Sequence, residues 1–135
     1  MVFPAKNGVV IATEKKPPTL LIDEKTVEKI AKVSSNIGLV YSGLGPDSRV
    51  MVKKCRKVAQ SYYHTYKEDI PVSQLVKEAA AVMQEFTQRG GVRPMGVSLL
   101  VAGYDTKGPH LYQLLADLGL SSTDVDVAQF RIIRG

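Results

Sequence analysis

Residues 84–103 have the sequence QEFTQRGGVRPMGVSLLVAG. The glycine pair Gly90 and Gly91 favours the end of a helix, because glycine adopts positive φ easily. Val97–Ala102 is an apolar run typical of a buried strand. A helix that ends on glycines shortly before a buried strand indicates helices packed against a sheet. This stretch therefore predicts the α+β class.

Two amphipathic helices are predicted upstream of this strand. Pro46 and Asp47 favour the start of the first helix, and Ile70-Pro71 separates it from the second, because the residue before proline is pushed out of helical geometry. The apolar residues of each helix recur at helical spacing on one face. Those of the first helix are Met51, Cys55, Val58, Ala59, Tyr62 and Tyr66; those of the second are Val72, Leu75, Val76, Ala79, Met83 and Phe86.

Strands are predicted on both sides of the helices from short apolar or alternating runs. The runs are Gly8–Thr13, Thr19–Ile22, Lys29–Val33, Ile37–Ser42, Val97–Ala102 and His110–Gln113. Short connections between the first four indicate an antiparallel meander. Leu118–Asp126 favours a short helix, and the rest of residues 114–135 has no predicted structure.

Bulk composition fits one soluble domain. The chain has 135 residues, of which 44% are apolar and 23% charged. Its net charge of +5 permits nucleic acid or an acidic protein as a partner. The single cysteine, Cys55, excludes an internal disulfide. No apolar run approaches the roughly 20 residues of a membrane helix. We therefore expect a soluble protein of the cytoplasm or nucleus.

The predicted first helix has a basic face formed by Arg49, Lys53, Arg56 and Lys57. Such a face can contact phosphate backbones, as in nucleic-acid-binding modules. It can equally be a solvated face, or lie against an acidic neighbour. The sequence alone leaves these alternatives open.

Residues that could carry catalysis are few. Gly43-Leu44-Gly45 resembles the opening of a dinucleotide loop, but Pro46 and Asp47 interrupt the pattern and favour a tight turn. His64 and His110 have no nucleophile near them in sequence. Cys55 lies on an apolar helix face, which predicts an inert thiol. No metal-ligand spacing occurs. We expect no catalytic residue, no metal and no cofactor.

Several stretches resemble alpha-type subunits of the proteasome core particle. They are Asn7–Lys16 (NGVVIATEKK), Thr26–Ile30 (TVEKI), Ile37–Arg49 (IGLVYSGLGPDSR), Ile70–Leu75 (IPVSQL) and Gln84–Gln113. The most specific is Thr87–Pro94 (TQRGGVRP) followed by GVSLL. The resemblance implies the αββα sandwich of N-terminal-nucleophile hydrolases, here roughly its first half. It also implies an incomplete alpha-type domain at residues 1–113 and a divergent tail at residues 114–135.

The resemblance implies a structural role in ubiquitin-dependent protein degradation. Alpha-type subunits are non-catalytic; they form the outer rings, template assembly and dock activator particles. The expected partners are other alpha subunits, beta subunits and activators, with no nucleic acid and no membrane. Catalytic relatives use a threonine at a processed N-terminus, whereas Thr13 lies inside a strand run and follows no Gly-Thr processing site. A threonine peptidase subunit and a basic nucleic-acid-binding module remain the alternatives.

The resemblance also implies a binding site for activator tails, and two residues of this chain match its positions. The lysine of the family's Glu-Lys-Ile motif, here Lys29, lines a pocket between neighbouring alpha subunits and would pair with the C-terminal carboxylate of an activator tail. The glycine after the strand, here Gly43, would offer backbone to the same tail. The simpler interpretation is an exposed lysine and a turn glycine.

Both ends of the chain depart from the family pattern. Residues 1–6 do not resemble the gating tail and helix that precede the first strand in the family. Residues 114–135 replace the family's continuation. We expect a truncated variant that lacks the gate and one helical layer. Its exposed apolar sheet surface would make it aggregation-prone or dependent on a partner, and the truncation would impair its role in the ring.

Overall fold

The computed structural model describes residues 2–5, 7–16 and 19–115. Two helices and six strands are formed there, together with a short 3-10 helix at Glu24–Thr26. The strands are β1 Val2–Ala5, β2 Gly8–Ile11, β3 Ile30–Lys32, β4 Ile37–Gly43, β5 Val97–Asp105 and β6 Gly108–Leu115, and the helices are α1 Gly45–Tyr66 and α2 Val72–Gln88.

The main sheet has the order β3-β4-β5-β6, and all of its neighbouring strands are antiparallel. β4 and β5 run side by side from Ile37 opposite Gly103 to Gly43 opposite Val97. These two central strands are apolar because both of their faces are covered. The two helices lie between them in sequence, so the segment 44–96 leaves the sheet and returns to it.

Both helices pack on one face of this sheet. Leu39 of β4 and Leu99 of β5 are fully buried there, together with Met51 of α1 and Leu75 of α2. The two helical periodicities predict these faces correctly, with one exception. Tyr66, the last residue of α1, is 61% exposed and contacts the half-buried Tyr62 at 4.5 Å between ring centroids.

The ends of the helices follow local rules. Pro46 lies in the first turn of α1, where its missing N–H costs nothing. α1 ends at Tyr66, and the next residue, Lys67, caps it with a left-handed φ of 57° and donates its N–H to the carbonyl of Tyr63. α2 begins directly after Pro71 and ends two residues before Gly90, and Gly91 has a φ of 81°.

The opposite face of the sheet carries a hairpin formed by β1 and β2. Val40 and Ala102 are buried on this face, and Val9 and Ile11 of β2 pack against them. The fold is therefore α+β, with antiparallel strands and two adjacent helices, as predicted, and it is consistent with part of an αββα sandwich. The predicted meander is wrong in one respect: β2 pairs with β1 and not with β3.

The predicted strand at Thr19–Ile22 is also wrong. These residues form turns and bends, and Leu20 and Leu21 are almost completely exposed. An apolar run of four residues becomes a strand only where a neighbouring strand accepts its hydrogen bonds. No strand of the described residues pairs with this segment.

The predicted boundary between a domain at residues 1–113 and a divergent tail at residues 114–135 stays a prediction. Leu114 and Leu115 belong to β6, and Leu114 is buried in the core. The helix predicted at Leu118–Asp126 lies outside the described residues.

Candidate functional site

Lys29 directly precedes β3. Its backbone carbonyl accepts a hydrogen bond from the N–H of Tyr41 at 3.2 Å, which continues the β3–β4 ladder by one residue. The residue is half-buried, while its neighbours Glu28 and Ile30 are exposed. The strand pairing thus holds the backbone of Lys29 in place.

Gly43 is the last residue of β4 and has a φ of 126°. A Cβ atom there would lie 2.3 Å from the carbonyl oxygen of Gly96 and 3.0 Å from the Cα of Val97. Real Cβ atoms do not approach backbone so closely. Glycine is therefore required at this position by the packing of β4 against the start of β5.

The sheet brings the two predicted site residues to the same end. Ile30 lies opposite Val40, so Lys29 lies opposite Tyr41, two residues before Gly43. No hydrogen bond joins Lys29 to Gly43 among the residues that the structure describes. A cavity nearby is lined by Glu28 and Tyr41, but neither Lys29 nor Gly43 contributes to its lining.

An ion pair that the sequence analysis missed lies beside Gly43. Arg93 donates from Nη1 to Oδ2 of Asp47 at 2.8 Å and from Nη2 to Oδ1 at 3.0 Å. The N–H of Gly96 donates to Oδ2 as well, at 3.0 Å. These contacts, Arg93 first, lower the pKa of Asp47. The motif at 37–49 and the motif at 87–94 are thereby joined in space, and no local pattern signals that pairing.

A second carboxylate–base pair lies in the β5–β6 turn. Nε2 of His110 lies 2.9 Å from Oδ1 of Asp105, which also accepts the N–H of Lys107 at 2.8 Å. Burial opposes the charge on Asp105, but the Lys107 amide, His110 and the Val72 amide together keep its pKa below the usual value. No hydrogen bond joins His110 to a serine, threonine or cysteine among the described residues, so this pair orders the turn.

The remaining candidates for catalysis are placed as follows. Cys55 is buried on α1, and burial raises the pKa of its thiol to about 11. His64 is exposed near the end of α1. Thr13 follows Ala12 through an ordinary peptide bond, and its hydroxyl lies 3.5 Å from the carbonyl oxygen of Glu14. A nucleophile–base pair does not form among residues 7–16 and 19–115.

The same part of the chain provides neither a cluster of metal ligands nor a membrane-crossing helix. Within it, no three histidine, cysteine, aspartate or glutamate side chains gather closely enough to hold a metal ion. Neither of its helices has the length and apolar character needed to cross a membrane.

Comparison with known proteins gives a consistent result. A family model described as "Proteasome subunit" matches residues 3–117. Curated relatives named "Proteasome subunit alpha type-2" include one from Oryza sativa subsp. indica, 69% identical over 110 residues, and one from Drosophila melanogaster, 58% identical over 109 residues. "Proteasome subunit alpha type-2-A" of Arabidopsis thaliana is 68% identical over 110 residues.

These alignments cover 81–82% of this chain but 47% of each relative. The chain thus spans about half the length of the curated relatives it matches. These names confirm the resemblance to alpha-type subunits and narrow it to type 2, the type that Tyr41–Asp47 together with Val82–Phe86 most resembles.

Proposed function

Because the chain belongs to the proteasome subunit family, we propose that it acts as a non-catalytic structural subunit in the outer ring of the core particle. In that role it contributes to ring assembly and to the docking of activator particles. Its partners are other alpha subunits, beta subunits and activators, and it works in the cytoplasm and nucleus, in ubiquitin-dependent protein degradation.

One observation carries the proposal. Two stretches that resemble alpha-type subunits, 37–49 and 87–94, meet in space through Asp47 and Arg93, and relatives that match most of this chain are named alpha type-2 subunits. Asp47 and Arg93 thus join the start of α1 to the segment that leads into β5. Contact between two stretches that resemble the family supports a chain that folds as part of such a subunit.

The chemistry of Thr13 supports a non-catalytic role. A threonine nucleophile of this type uses its own free α-amine as the base. The nitrogen of Thr13 is bound to Ala12 in an amide, and an amide nitrogen is not basic. N-terminal sequencing of the mature chain tests this. A new terminus at threonine, serine or cysteine would favour a peptidase subunit instead.

Activator docking is proposed at Lys29. The β3–β4 ladder holds its backbone, and an ammonium group at the end of a sheet can pair with the C-terminal carboxylate of a tail. We expect Lys29→Ala to weaken activator binding to particles that contain the chain. Lys25→Ala, which removes an exposed lysine four residues earlier, is the matched control. Equal binding by both variants would exclude this role for Lys29.

The subunit role is tested by expressing the tagged chain in cells and purifying intact core particles. Native mass spectrometry should find the 14.7 kDa chain in the ring, with the other alpha subunits. If the chain is well expressed, yet always separates from the particles, the proposed function is wrong. Cell fractionation of the same tagged chain tests the proposed location.

A further inference from the structure

A groove lies along one side of α1. It has a volume of about 510 Å³ and opens between α1 and the segment from Thr26 to Ala31. We call it the α1 groove. Lys29 and Gly43, the proposed docking residues, are not part of its lining. The groove is thus a separate feature of the same end of the molecule.

The floor of the α1 groove is apolar. Ala31 of β3 and Val52 of α1 are buried there, and Val27 and Tyr41 are half-buried. Ser48 also lies in the floor, but its hydroxyl donates to the carbonyl of Gly45 at 2.6 Å and is already satisfied. A ligand would therefore meet an apolar surface at the bottom of the groove.

The rim of the groove on the α1 side is cationic. Arg49, Lys53 and Arg56 line it at positions i, i+4 and i+7 of the helix, and all three are exposed. Over this interval α1 advances about 10 Å, so the charges form a row two turns long. Nε of Arg56 donates to the carbonyl of Lys32 at 2.8 Å, which anchors that side chain over the groove. Arg49 and Lys53 form no ion pair with any described residue.

An apolar floor beneath a row of cations fits an amphipathic acidic segment. We propose that the α1 groove binds an acidic segment of a neighbouring proteasome subunit, with its carboxylates on Arg49, Lys53 and Arg56 and its apolar side chains on the floor. The proposal rests on the proposed function, because that function supplies the neighbour. Burial of the apolar floor provides affinity, and the row of charges selects acidic partners and sets their register.

Two other occupants fit the groove less well. An activator tail presents one terminal carboxylate, which a single lysine can pair, whereas three cations span two turns here. Glu28 on the opposite rim repels phosphates and carboxylates alike, so it does not separate nucleic acid from an acidic peptide. Nucleic acid presents phosphates without apolar anchors. The apolar floor would then stay uncovered. The observations therefore favour a polypeptide.

The binding chemistry is tested on the purified full chain. The probe is a fluorescein-labelled helical peptide of about 14 residues, with glutamates at i, i+4 and i+7 and leucines on the adjoining face. We expect the Arg49→Glu/Lys53→Glu variant to bind it at least about tenfold more weakly than the unaltered chain, since two attractions become repulsions. Lys57→Glu is the control, because Lys57 lines a different groove on the same helix.

Three results would overturn this step. They are no binding by the unaltered chain, equal loss with Lys57→Glu, or tighter binding of a duplex oligonucleotide than of the peptide at the same salt. Thermal melting of each variant shows whether the substitutions alter folding. All three sites are exposed, so the melting temperatures should agree.

The identity of the partner is tested in purified core particles. If the chain enters particles and Arg49→Glu/Lys53→Glu lowers its content severalfold while Lys57→Glu does not, the neighbouring subunit is supported as the occupant. If the chain and both variants enter equally, the groove is not a subunit contact, although the proposed function stands. If the unaltered chain never enters, the proposed function and the choice of partner both fail, whatever the peptide result.

Discussion

The carboxylate of Asp47 accepts two hydrogen bonds from the guanidinium of Arg93 and a third from the N–H of Gly96. Asp47 lies in the first turn of α1, and the other two residues lie in the segment that leads from α2 to β5. A single side chain therefore joins the start of one helix to the strand that returns after the second. It also lies at the helix N-terminus, where a negative charge is favoured.

We expect Asp47→Ala to destabilise the chain. The substitution leaves the part-buried Gly96 N–H without its acceptor, which should lower the free energy of unfolding by about 1–2 kcal/mol. The Arg93 side chain is largely exposed, so water replaces its lost partner and the ion pair adds little to this loss. Urea denaturation of the purified chain measures the change. Glu85→Ala is the control, because Glu85 and Arg89 form a 3.7 Å pair exposed on both sides, and such pairs contribute about 0.5 kcal/mol or less. If both variants lose the same free energy of unfolding, the contacts of Asp47 do not stabilise the connection between α1 and the segment before β5.

The carboxylate of Asp47 should also make the free energy of unfolding depend on pH in the acidic range. The pKa of Asp47 is lower in the folded chain than its ordinary 3.8, because Arg93 and the Gly96 amide favour the charged form. Its contribution is therefore complete above pH 3.8 and is lost as the pH falls through the lower, folded pKa. Asp105, whose pKa is also lowered, adds a loss of the same sign.

Unfolding free energies between pH 6 and acid pH measure this dependence. Asp47→Asn cannot ionise, so its stability should fall less steeply below about pH 4 than that of the unaltered chain. Parallel curves would mean that the charge on Asp47 is not coupled to folding. The pH dependence of the unfolding free energy that remains in the variant comes from Asp105 and the other carboxylates.

Gly43→Ala should be strongly destabilising, because its Cβ would lie 2.3 Å from the Gly96 carbonyl oxygen. Gly108→Ala is the matched control: Gly108 also has a positive φ, of 114°, but no atom lies within 4 Å of its Cβ position. The control should lose about 1 kcal/mol from backbone strain alone, and Gly43→Ala should lose clearly more. Similar melting temperatures for the two variants would argue that the β4–β5 junction relaxes freely.

The thiol of Cys55 should resist alkylation in the folded chain. Its side chain is 2% exposed, and burial raises the pKa of the thiol to about 11, so little thiolate forms at pH 8. Mass spectrometry after iodoacetamide treatment should show one added group in urea and almost none under native conditions. Rapid native labelling would contradict the packing of α1 on the sheet.

Much of this fold follows from periodicity in the sequence. The 3.6-residue spacing of Met51, Cys55 and Ala59 determines the buried face of α1, and the same spacing determines that of α2. Pro46 and Pro71 mark the starts of the two helices and Gly90 and Gly91 mark the end of α2, because their backbone restrictions act locally. The end of α1, capped by Lys67, carries no such mark. These features need no information from distant residues.

Pairing across the chain was decided by tertiary structure alone. Thr19–Ile22 has the composition of a strand but finds no partner among the described strands, and β2 pairs with β1 instead of β3. Asp47 and Arg93 are 46 residues apart, and nothing near either residue specifies the other. Similarly, Arg49, Lys53 and Arg56 form a basic helix face in the sequence, but only β3 and the segment before it give that face an apolar floor. Local sequence determines each element because backbone preferences are short-ranged, whereas strand partners, ion pairs and grooves depend on which elements the folded chain brings together.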